Sequence, residues 1–447
     1  MQPANPALYG TPQSMTRIAA ASAIGAIIEW YDFFLYGVVA AVVFNKLFFP
    51  QVTPLIGILL AYTTFAIGFV ARPIGGVIFG HYGDRIGRKT ILILTLLIMG
   101  VATAAIGLLP TYGSIGVAAP ILLLLLRVLQ GIGIGGEWGG AVLMAVEHAP
   151  PGRRGFYGSY PQIGVPAGLM LSAAVVYILN SFTTDAEFLA WGWRIAFLLS
   201  ALLVVVGLFI RLKIMETPEF VRVQSTNTAV KTPIVELFRT HPRQTALGVG
   251  ARYIEGVCFN MWGVFIIGYA TATLHLPRST ALLGVVIASA LMIPLVLFYG
   301  ALADRFGLRT VYSWGAFAIG ALVFPSFWLM TTAGAAHPGL VWLGIIIPLS
   351  IAYPAVYGPQ AALFSSLFAT NVRYSGISFC YQFSGIFASG LTPLVATLLL
   401  SRGGGQPWLI CWYVVAVAII SFLCVRAMPE PRASAMPVVP AESYLNG

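Results

Sequence analysis

The stretch Gly80-His81-Tyr82-Gly83-Asp84-Arg85-Ile86-Gly87-Arg88-Lys89 decides the fold. It is a turn punctuated by glycine between two long apolar runs, and it carries three cations in its last five residues. Such a cluster of charge is too costly to bury in hydrocarbon. The stretch therefore predicts a tight loop at a membrane surface.

The same pattern returns 220 residues later as Gly300-Ala301-Leu302-Ala303-Asp304-Arg305-Phe306-Gly307-Leu308-Arg309. Two further pairs repeat at that offset: Arg153 with Arg373, and Gln162 with Gln382. A repeat that spans several apolar runs predicts two halves of like fold, which is typical of many secondary transporters.

The composition is that of a membrane protein. Of the 447 residues, 59% are hydrophobic and 9% are charged, and the mean hydropathy is +0.89. A soluble chain of this size could not cover so much apolar surface. The cations that give the net charge of +10 punctuate apolar runs and form no patch, so we expect no nucleic-acid partner. The start of the chain, up to Met15, lacks the pattern of a cleavable signal peptide, so we expect the first span to remain as a helix.

A spanning helix needs about 20 apolar residues, and the sequence predicts an all-α protein with twelve such helices. The predicted spans are 18–44, 55–80, 90–110, 118–147, 154–180, 190–212, 244–272, 279–303, 309–331, 338–365, 372–400 and 406–427. They form two six-helix bundles, 18–212 and 244–427, joined by a polar linker at 213–243 and flanked by an N-terminal segment, 1–17, and a tail, 428–447. Seventeen Lys and Arg residues fall on the linker side and four on the other, which predicts cytoplasmic termini and linker.

Charged residues inside spans are costly and mark functional sites. The acids are Glu29, Asp32, Glu137 and Glu255, and the bases are Arg72, Arg127 and Arg252. Because Glu29 and Asp32 are three residues apart, they share one face of the first span, near mid-membrane, and Tyr36 extends that face. The sequence therefore predicts the wall of a polar cavity.

The partners of the basic residues stay open at this point. Arg252 and Glu255 either neutralise each other or leave Arg252 to hold an anionic substrate. Arg72 would face the bundle interior, with Glu29 or Glu137 as its partner. The predicted substrate contacts are the bases of the spans and polar side chains along them: Arg72, Arg127, Arg252, Tyr31, Tyr36, Gln162, Asn260, Tyr357 and Gln382.

The pattern G-x-x-x-D-R-x-G-R-K resembles the signature loop of the major facilitator superfamily, which joins helices 2 and 3 and has a weaker copy between helices 8 and 9. The chain also resembles the metabolite:proton symporter branch, with its shikimate, alpha-ketoglutarate, citrate and proline/betaine permeases, and most of all the shikimate-permease-like members. The stretches that carry this likeness are Glu29-Trp30-Tyr31-Asp32-Phe33, Arg72-Pro73-Ile74-Gly75-Gly76, Gly135-Gly136-Glu137-Trp138 and Trp191-Gly192-Trp193-Arg194.

The resemblance implies roles for the charged residues. Asp32 would be the proton-coupling carboxylate and Arg127 its switchable partner, in a coupling set that also holds Glu29 and Glu137; a static structural pair is the alternative. A cytoplasmic gate would contain Asp84, which caps the start of the eleventh span. The other members of the gate would be Arg85, Arg88, Glu147, Arg153, Asp304, Arg305 and Arg373.

We therefore expect a multi-pass protein of the bacterial inner membrane, monomeric as is usual in the family, that imports a small organic acid such as shikimate by proton symport. The proton is the coupling ion, and no other cofactor and no metal site are expected. Proton-coupled efflux of a drug or metabolite, and import of a zwitterionic osmolyte such as betaine or proline, are the alternatives. An enzyme is not expected, because no nucleophile–base pair or metal cluster lies at bilayer depth.

Overall fold

The computed structural model describes residues 15–86, 88–135, 138–147, 149–150, 152–213, 233–333, 336–369 and 372–429. Ten helices in this part of the chain are long and apolar enough to cross a membrane, and two shorter apolar helices complete the twelve that the sequence predicts. No β-strand occurs among the described residues. The fold is therefore all-α, as predicted.

We number the twelve helices in chain order. They are α1 Ile24–Leu47, α2 Pro54–Phe79, α3 Ile93–Leu108, α4 Ala118–Ile134, α5 Arg154–Phe182, α6 Asp185–Phe209, α7 Pro242–Ala272, α8 Arg278–Phe306, α9 Leu308–Ala333, α10 Pro338–Ser365, α11 Arg373–Arg402 and α12 Trp408–Ala427. Helical backbone extends α1 back to Met15 and α2 on to Ile86. Three further helices of the described chain lie outside this numbering, Tyr112–Ile115 before α4, Trp138–Glu147 after α4 and Pro233–Thr240 before α7.

The fourth predicted span covers two described helices. The sequence predicts one helix over 118–147, and the structure describes helix over Ala118–Ile134 and over Trp138–Glu147. Gly135, which follows Ile134, keeps helical backbone angles, with a φ of −64° and a ψ of −24°.

Helix contacts define two halves, α1–α6 and α7–α12. In the first half α1 packs on α5, α2 on α4 and α3 on α6, and in the second half α7 packs on α11 and α12, and α8 on α10. The halves meet at several places, among them α5 with α10 and α1 with α7, and most extensively at two contacts, α5 with α8 and α2 with α11. These two contacts are equivalent under a shift of six helices, as the internal repeat requires.

The repeat extends to local backbone irregularities. A π-helical segment, Ala40–Phe44, lies near the end of α1, and a second one, Met261–Phe265, lies at the corresponding place in α7. All ten of their residues are buried. Because π-segments interrupt the regular hydrogen-bond ladder and are frequent at functional sites, they point to the α1–α7 region as the functional centre.

The second copy of the signature turn joins α8 to α9. Gly307 has a φ of +95°, a region that side chains rarely allow, and its N–H donates to the carbonyl of Ala303 at 2.9 Å. The side chains of the first copy, at 80–89, lie outside the described part of the chain. We call the end of the bundle at which α6 ends and α7 begins the linker end, and the other the opposite end.

Candidate functional site

A cavity of about 260 Å³ lies between the two halves. Both halves contribute to its wall, the first through α1, α2 and α5 and the second through α7 and α11. The lining residues are Trp30, Phe34, Phe69, Arg72, Val165, Arg252, Glu255, Phe259, Asn260, Tyr381 and Ser389. Of the predicted substrate contacts, Arg72, Arg252 and Asn260 line the cavity.

Arg72 reaches the cavity from α2 and is 2% exposed. Its guanidinium group stacks on the rings of Phe33 at 4.0 Å and Phe69 at 4.1 Å. No acceptor in the described part of the chain hydrogen-bonds its Nε or Nη2 atom. Buried donors without acceptors are costly, so Arg72 presents unused hydrogen-bonding capacity at the cavity.

Arg252 reaches the cavity from α7. Its Nε atom lies 3.2 Å from the Glu255 carboxylate, so of the two alternatives that the sequence leaves open, the ion pair is present in this conformation. Its Nη1 atom donates to the Ser384 hydroxyl at 3.2 Å, and its guanidinium lies over the ring of Tyr381 at 3.8 Å. Glu255 also accepts a hydrogen bond from the Tyr353 hydroxyl at 2.9 Å. The pair is thus held on several sides while it faces the cavity.

Arg127 is fully buried but does not line the cavity. Its Nη1 atom donates to the Phe33 carbonyl at 3.4 Å and to Gln130 Oε1 at 3.0 Å. Gln130 Nε2 in turn donates to the Thr103 hydroxyl at 2.7 Å. These bonds form a relay from α4 to α3.

Asp32 lies at the other end of this relay. It is fully buried and lies near the hydroxyls of Thr103 and Ser200, but the Thr103 hydroxyl donates to the Met99 carbonyl at 2.8 Å, and no described residue makes a hydrogen bond of ordinary geometry with either carboxylate oxygen. The implied direct pair with Arg127 is absent from the described structure. The reason is helix rotation, because Arg127 stacks on the face of α1 that carries Phe33, whereas Asp32 faces α3 and α6.

Glycines bring α2 and α4 together and so place both arginines. A Cβ on Gly131 would lie 2.1 Å from the Gly68 carbonyl oxygen, and one on Gly135 would lie 2.1 Å from that of Arg72. A Cβ on Gly75 would lie 1.9 Å from the Ile132 carbonyl oxygen. The glycine run therefore lets two helix backbones approach closely.

The structure places two predicted tyrosine contacts away from the cavity. The Tyr31 hydroxyl donates to the Ala196 carbonyl of α6 at 2.5 Å, and the Tyr36 hydroxyl is hydrogen-bonded to Thr64 of α2. Both are fully buried. Each phenol finds a partner on a neighbouring helix of its own half, which the spacing along α1 did not reveal.

Gln162 and Gln382 lie at the interface between the halves. Gln162 donates to the Tyr357 carbonyl of α10, and Gln382 donates to the Gly135 carbonyl at 2.8 Å. Trp138 donates to Gln162 Oε1 at 3.3 Å. The cavity is not lined by Gln162, Gln382 or Tyr357. In this conformation the two repeated glutamines instead form hydrogen bonds between the halves.

Asp304, a residue of the predicted gate, contacts the other half at the linker end. Its carboxylate accepts hydrogen bonds from the backbone N–H groups of Gly155 at 2.6 Å and Phe156 at 2.8 Å, at the start of α5. An acid at a helix N-terminus satisfies free donors and complements the helix dipole. Arg153 interacts electrostatically with the same carboxylate.

The other predicted gate residues are placed as follows. Arg373 Nε donates to the Phe368 carbonyl at 3.3 Å, and the Arg305 guanidinium lies 5.8 Å from the Phe306 ring centre. Five side chains of the predicted gate and coupling set lie outside the described part of the structure: Asp84, Arg85, Arg88, Glu137 and Glu147. The predicted cap by Asp84 on the start of α11 therefore stays a prediction.

Sequence reasoning missed a contact at the opposite end. Arg278, at the start of α8, donates to Asn180 Oδ1 at 2.8 Å and lies 3.4 Å from the Asp185 carboxylate. It also missed the aromatic cavity wall formed by Phe34, Phe69 and Phe259. The available signal was position, because Phe34 and Phe259 stand beside the predicted site residues Asp32 and Asn260 in sequence.

Two six-helix halves that enclose a polar cavity define a secondary transporter of the major facilitator type. The family model for "Sugar (and other) transporter" matches residues 18–236. The shikimate transporter of Escherichia coli K12 is 41% identical over 418 residues, covering 92% of this chain and 93% of that protein. The inner membrane metabolite transport protein YhjE of the same strain is 39% identical, covering 95% and 96%.

More distant relatives and solved structures are also transporters. The proline/betaine transporter of Salmonella typhimurium LT2 is 33% identical, covering 93% of this chain and 84% of that protein. The crystal structure of a D-xylose-proton symporter superposes with a TM-score of 0.74 at 16% identity, covering 95% of this chain and all of that one. The chain belongs to the major facilitator superfamily, in its metabolite:proton symporter branch, and is a multi-pass inner-membrane transporter rather than an enzyme.

Proposed function

We propose that the protein imports a small organic acid, such as shikimate, by proton symport and alternating access. The observation that carries this proposal is the cavity in which Arg72 and Arg252 face one carboxylate, Glu255. Guanidinium groups stay charged in proteins, so these lining residues leave an excess of positive charge. A buried site with such an excess favours an anion.

The walls of the cavity support a small substrate with an apolar carbon skeleton and a few polar groups. Aromatic side chains would cover the carbon skeleton, and Asn260, whose Oδ1 has no hydrogen-bond partner in the described structure, would bind a hydroxyl group. The relative that is 41% identical is a shikimate transporter, and shikimate belongs to this class of substrate.

Asp32 supports the proton-coupled part of the proposal. A buried carboxylate without a partner is costly to keep charged, and uptake of a proton removes that cost. Thr103 and Gln130 lie between this carboxylate and Arg127, whose helix α4 packs on α2, the helix of Arg72. The excess of Lys and Arg on the linker side supports cytoplasmic termini, with import directed toward the linker end.

Uptake into proteoliposomes tests the proposal. Shikimate, protocatechuate, alpha-ketoglutarate, citrate and betaine would be offered with and without an inward proton gradient. We expect gradient-driven accumulation of one organic acid, and loss of accumulation in Asp32→Asn and in Arg72→Gln. Lys46→Gln removes a cation at an exposed position and serves as the control. If an outward gradient instead drives loss of a preloaded compound, the protein is an exporter.

Import of a zwitterion is the second candidate. Glu255 and the aromatic wall could hold a cationic group while Arg72 holds a carboxylate. The relatives that are named as proline/betaine transporters are 32–34% identical to this chain. Accumulation of betaine rather than of any organic acid in the same experiment would select this function.

A further inference from the structure

We propose that Glu255 is a proton-binding residue of the substrate site, and that it competes with the substrate carboxylate for Arg252. When Glu255 is charged it neutralises Arg252. When it takes up a proton, the guanidinium is free for the substrate anion, so each anion that binds brings a proton with it. This inference rests on the proposed function, and it adds to Asp32 a second carboxylate at the site itself.

The geometry of the pair favours exchange over a fixed bridge. Arg252 Nε and Glu255 Oε2 lie 3.2 Å apart, but neither atom makes a hydrogen bond of ordinary geometry with a described residue. The contact is thus mainly Coulombic, and the charge of an incoming carboxylate can replace it. Both residues line the cavity, so the substrate reaches them without crossing other side chains.

Arg252 does not depend on Glu255 for its position. The Ser384 hydroxyl accepts from its Nη1 atom, and the ring of Tyr381 lies under the guanidinium. These contacts come from α11, whereas Glu255 lies one turn along α7. Protonation of Glu255 therefore changes the charge beside Arg252 and leaves the group in place to bind an anion.

In the described part of the chain, Arg252 is the strong base of its own half that interacts with Glu255. Arg72 lies across the cavity on α2 and adds to the electrostatic environment of Glu255. The other titratable groups among the described residues that interact with Glu255 are Cys258 on α7, Tyr312 on α9, Tyr353 and Tyr357 on α10 and Tyr381 on α11.

The internal repeat gives a second line of argument. Asp32 lies in α1 and Glu255 in α7, the equivalent first helices of the two halves, and their positions differ by 223 residues against the repeat offset of 220. Asp32 and Glu255 are thus buried carboxylates within a turn of the same place in the two halves, and Glu29, also buried, lies one turn before Asp32. Asp32 lies near Thr103, and Glu255 lies at the cavity.

Shikimate binding to the purified full-length protein, followed by calorimetry in weakly buffered detergent solution, tests the inference. Wild-type protein should take up about one more proton per bound shikimate than Glu255→Gln. Binding to wild-type protein should weaken as the pH rises, whereas the neutral glutamine should keep binding independent of pH in that range. Glu255→Asp should restore proton uptake, and Glu187→Gln, the same change at an exposed position, should behave as wild type.

Each other outcome is decisive. Wild-type proton uptake and pH dependence in Glu255→Gln would overturn the inference. So would complete loss of binding in a Glu255→Gln protein that unfolds at the wild-type temperature, because Glu255 would then be a static partner of Arg252. If the wild type itself binds and accumulates none of the offered organic acids, the proposed function fails, and this inference fails with it.

Discussion

At the scale of single residues, the buried charges of the first half are connected by a neutral relay. Arg127 bonds Gln130, Gln130 bonds Thr103, and the Thr103 hydroxyl lies near Asp32. Two neutral groups thus stand where the family resemblance implies direct contact of opposite charges. The Thr103 hydroxyl donates its proton to the Met99 carbonyl at 2.8 Å, so a change in the charge of Asp32 would reach Arg127 only if this hydroxyl turned toward the carboxylate.

Thr103 tests this relay with a nearly isosteric substitution. Thr103→Val leaves Gln130 Nε2 without its acceptor, and an unsatisfied buried donor costs about 1–3 kcal/mol. We expect a lower unfolding temperature in detergent and weaker gradient-driven uptake. Thr103→Ser keeps the hydroxyl and should retain most of both. Equal uptake in the valine and serine variants would show that the relay has no part in coupling.

At the scale of helices, α5 and α8 are joined by polar contacts at both ends. Asp304 caps the start of α5 at the linker end, and Arg278 binds Asn180 and Asp185 at the opposite end. Alternating access requires that one end open while the other stays closed. The same helix pair therefore has a polar contact near each end. We call the contact of Asp304 with the start of α5 the linker-end latch, and the contact of Arg278 with Asn180 and Asp185 the opposite-end latch.

Asp304→Asn should weaken the linker-end latch. Removing the negative charge from a helix N-terminus costs about 0.3–1 kcal/mol at an exposed site and up to about 2 kcal/mol when partly buried. We expect faster backbone hydrogen exchange at the start of α5 and unchanged exchange at its end. Arg278→Gln should show the reverse pattern. Increased exchange along the whole helix in either variant would mean a general loss of stability rather than the opening of one latch.

At the scale of the whole molecule, the fold could be predicted from the sequence because its signals are local and repeated. Apolar length, charged turns and the recurrence of the Gly80 turn at Gly300 require no knowledge of how helices pack. The cavity arginines Arg72 and Arg252 could also be predicted, because charge within a span must face the interior.

Side-chain partners could not be predicted in the same way, because they depend on helix rotation and on how the halves meet. Neighbouring residues on a helix point about 100° apart, so the direction of Asp32 relative to Phe33 decides whether it meets Arg127. Gln162 and Gln382 bond carbonyl groups of the other half, and a sequence does not show which carbonyls will lie opposite them.

Two glycines set how closely the halves approach at each end. A Cβ on Gly300 would lie 2.7 Å from the carbonyl oxygen of Gly155, at the linker end, and one on Gly268 would lie 2.8 Å from the Ala41 Cβ, at the opposite end. Distances under about 3 Å force the backbones apart. Gly300→Ala should therefore favour the state open at the linker end, and Gly268→Ala the state open at the opposite end.

Spin-label pairs across each end would measure this shift as a change in the distance distribution. The four cysteines are free, and three of them are buried, so they can be replaced without removing a disulfide. Gly339→Ala is the matched control, because a Cβ there would meet nothing within 4 Å. Since the two substitutions strain opposite ends of one rocking motion, their effects should oppose each other, and the double variant should lie nearer the wild type than either single one. Shifts in the same direction would mean that the halves do not move as two rigid bodies about the cavity.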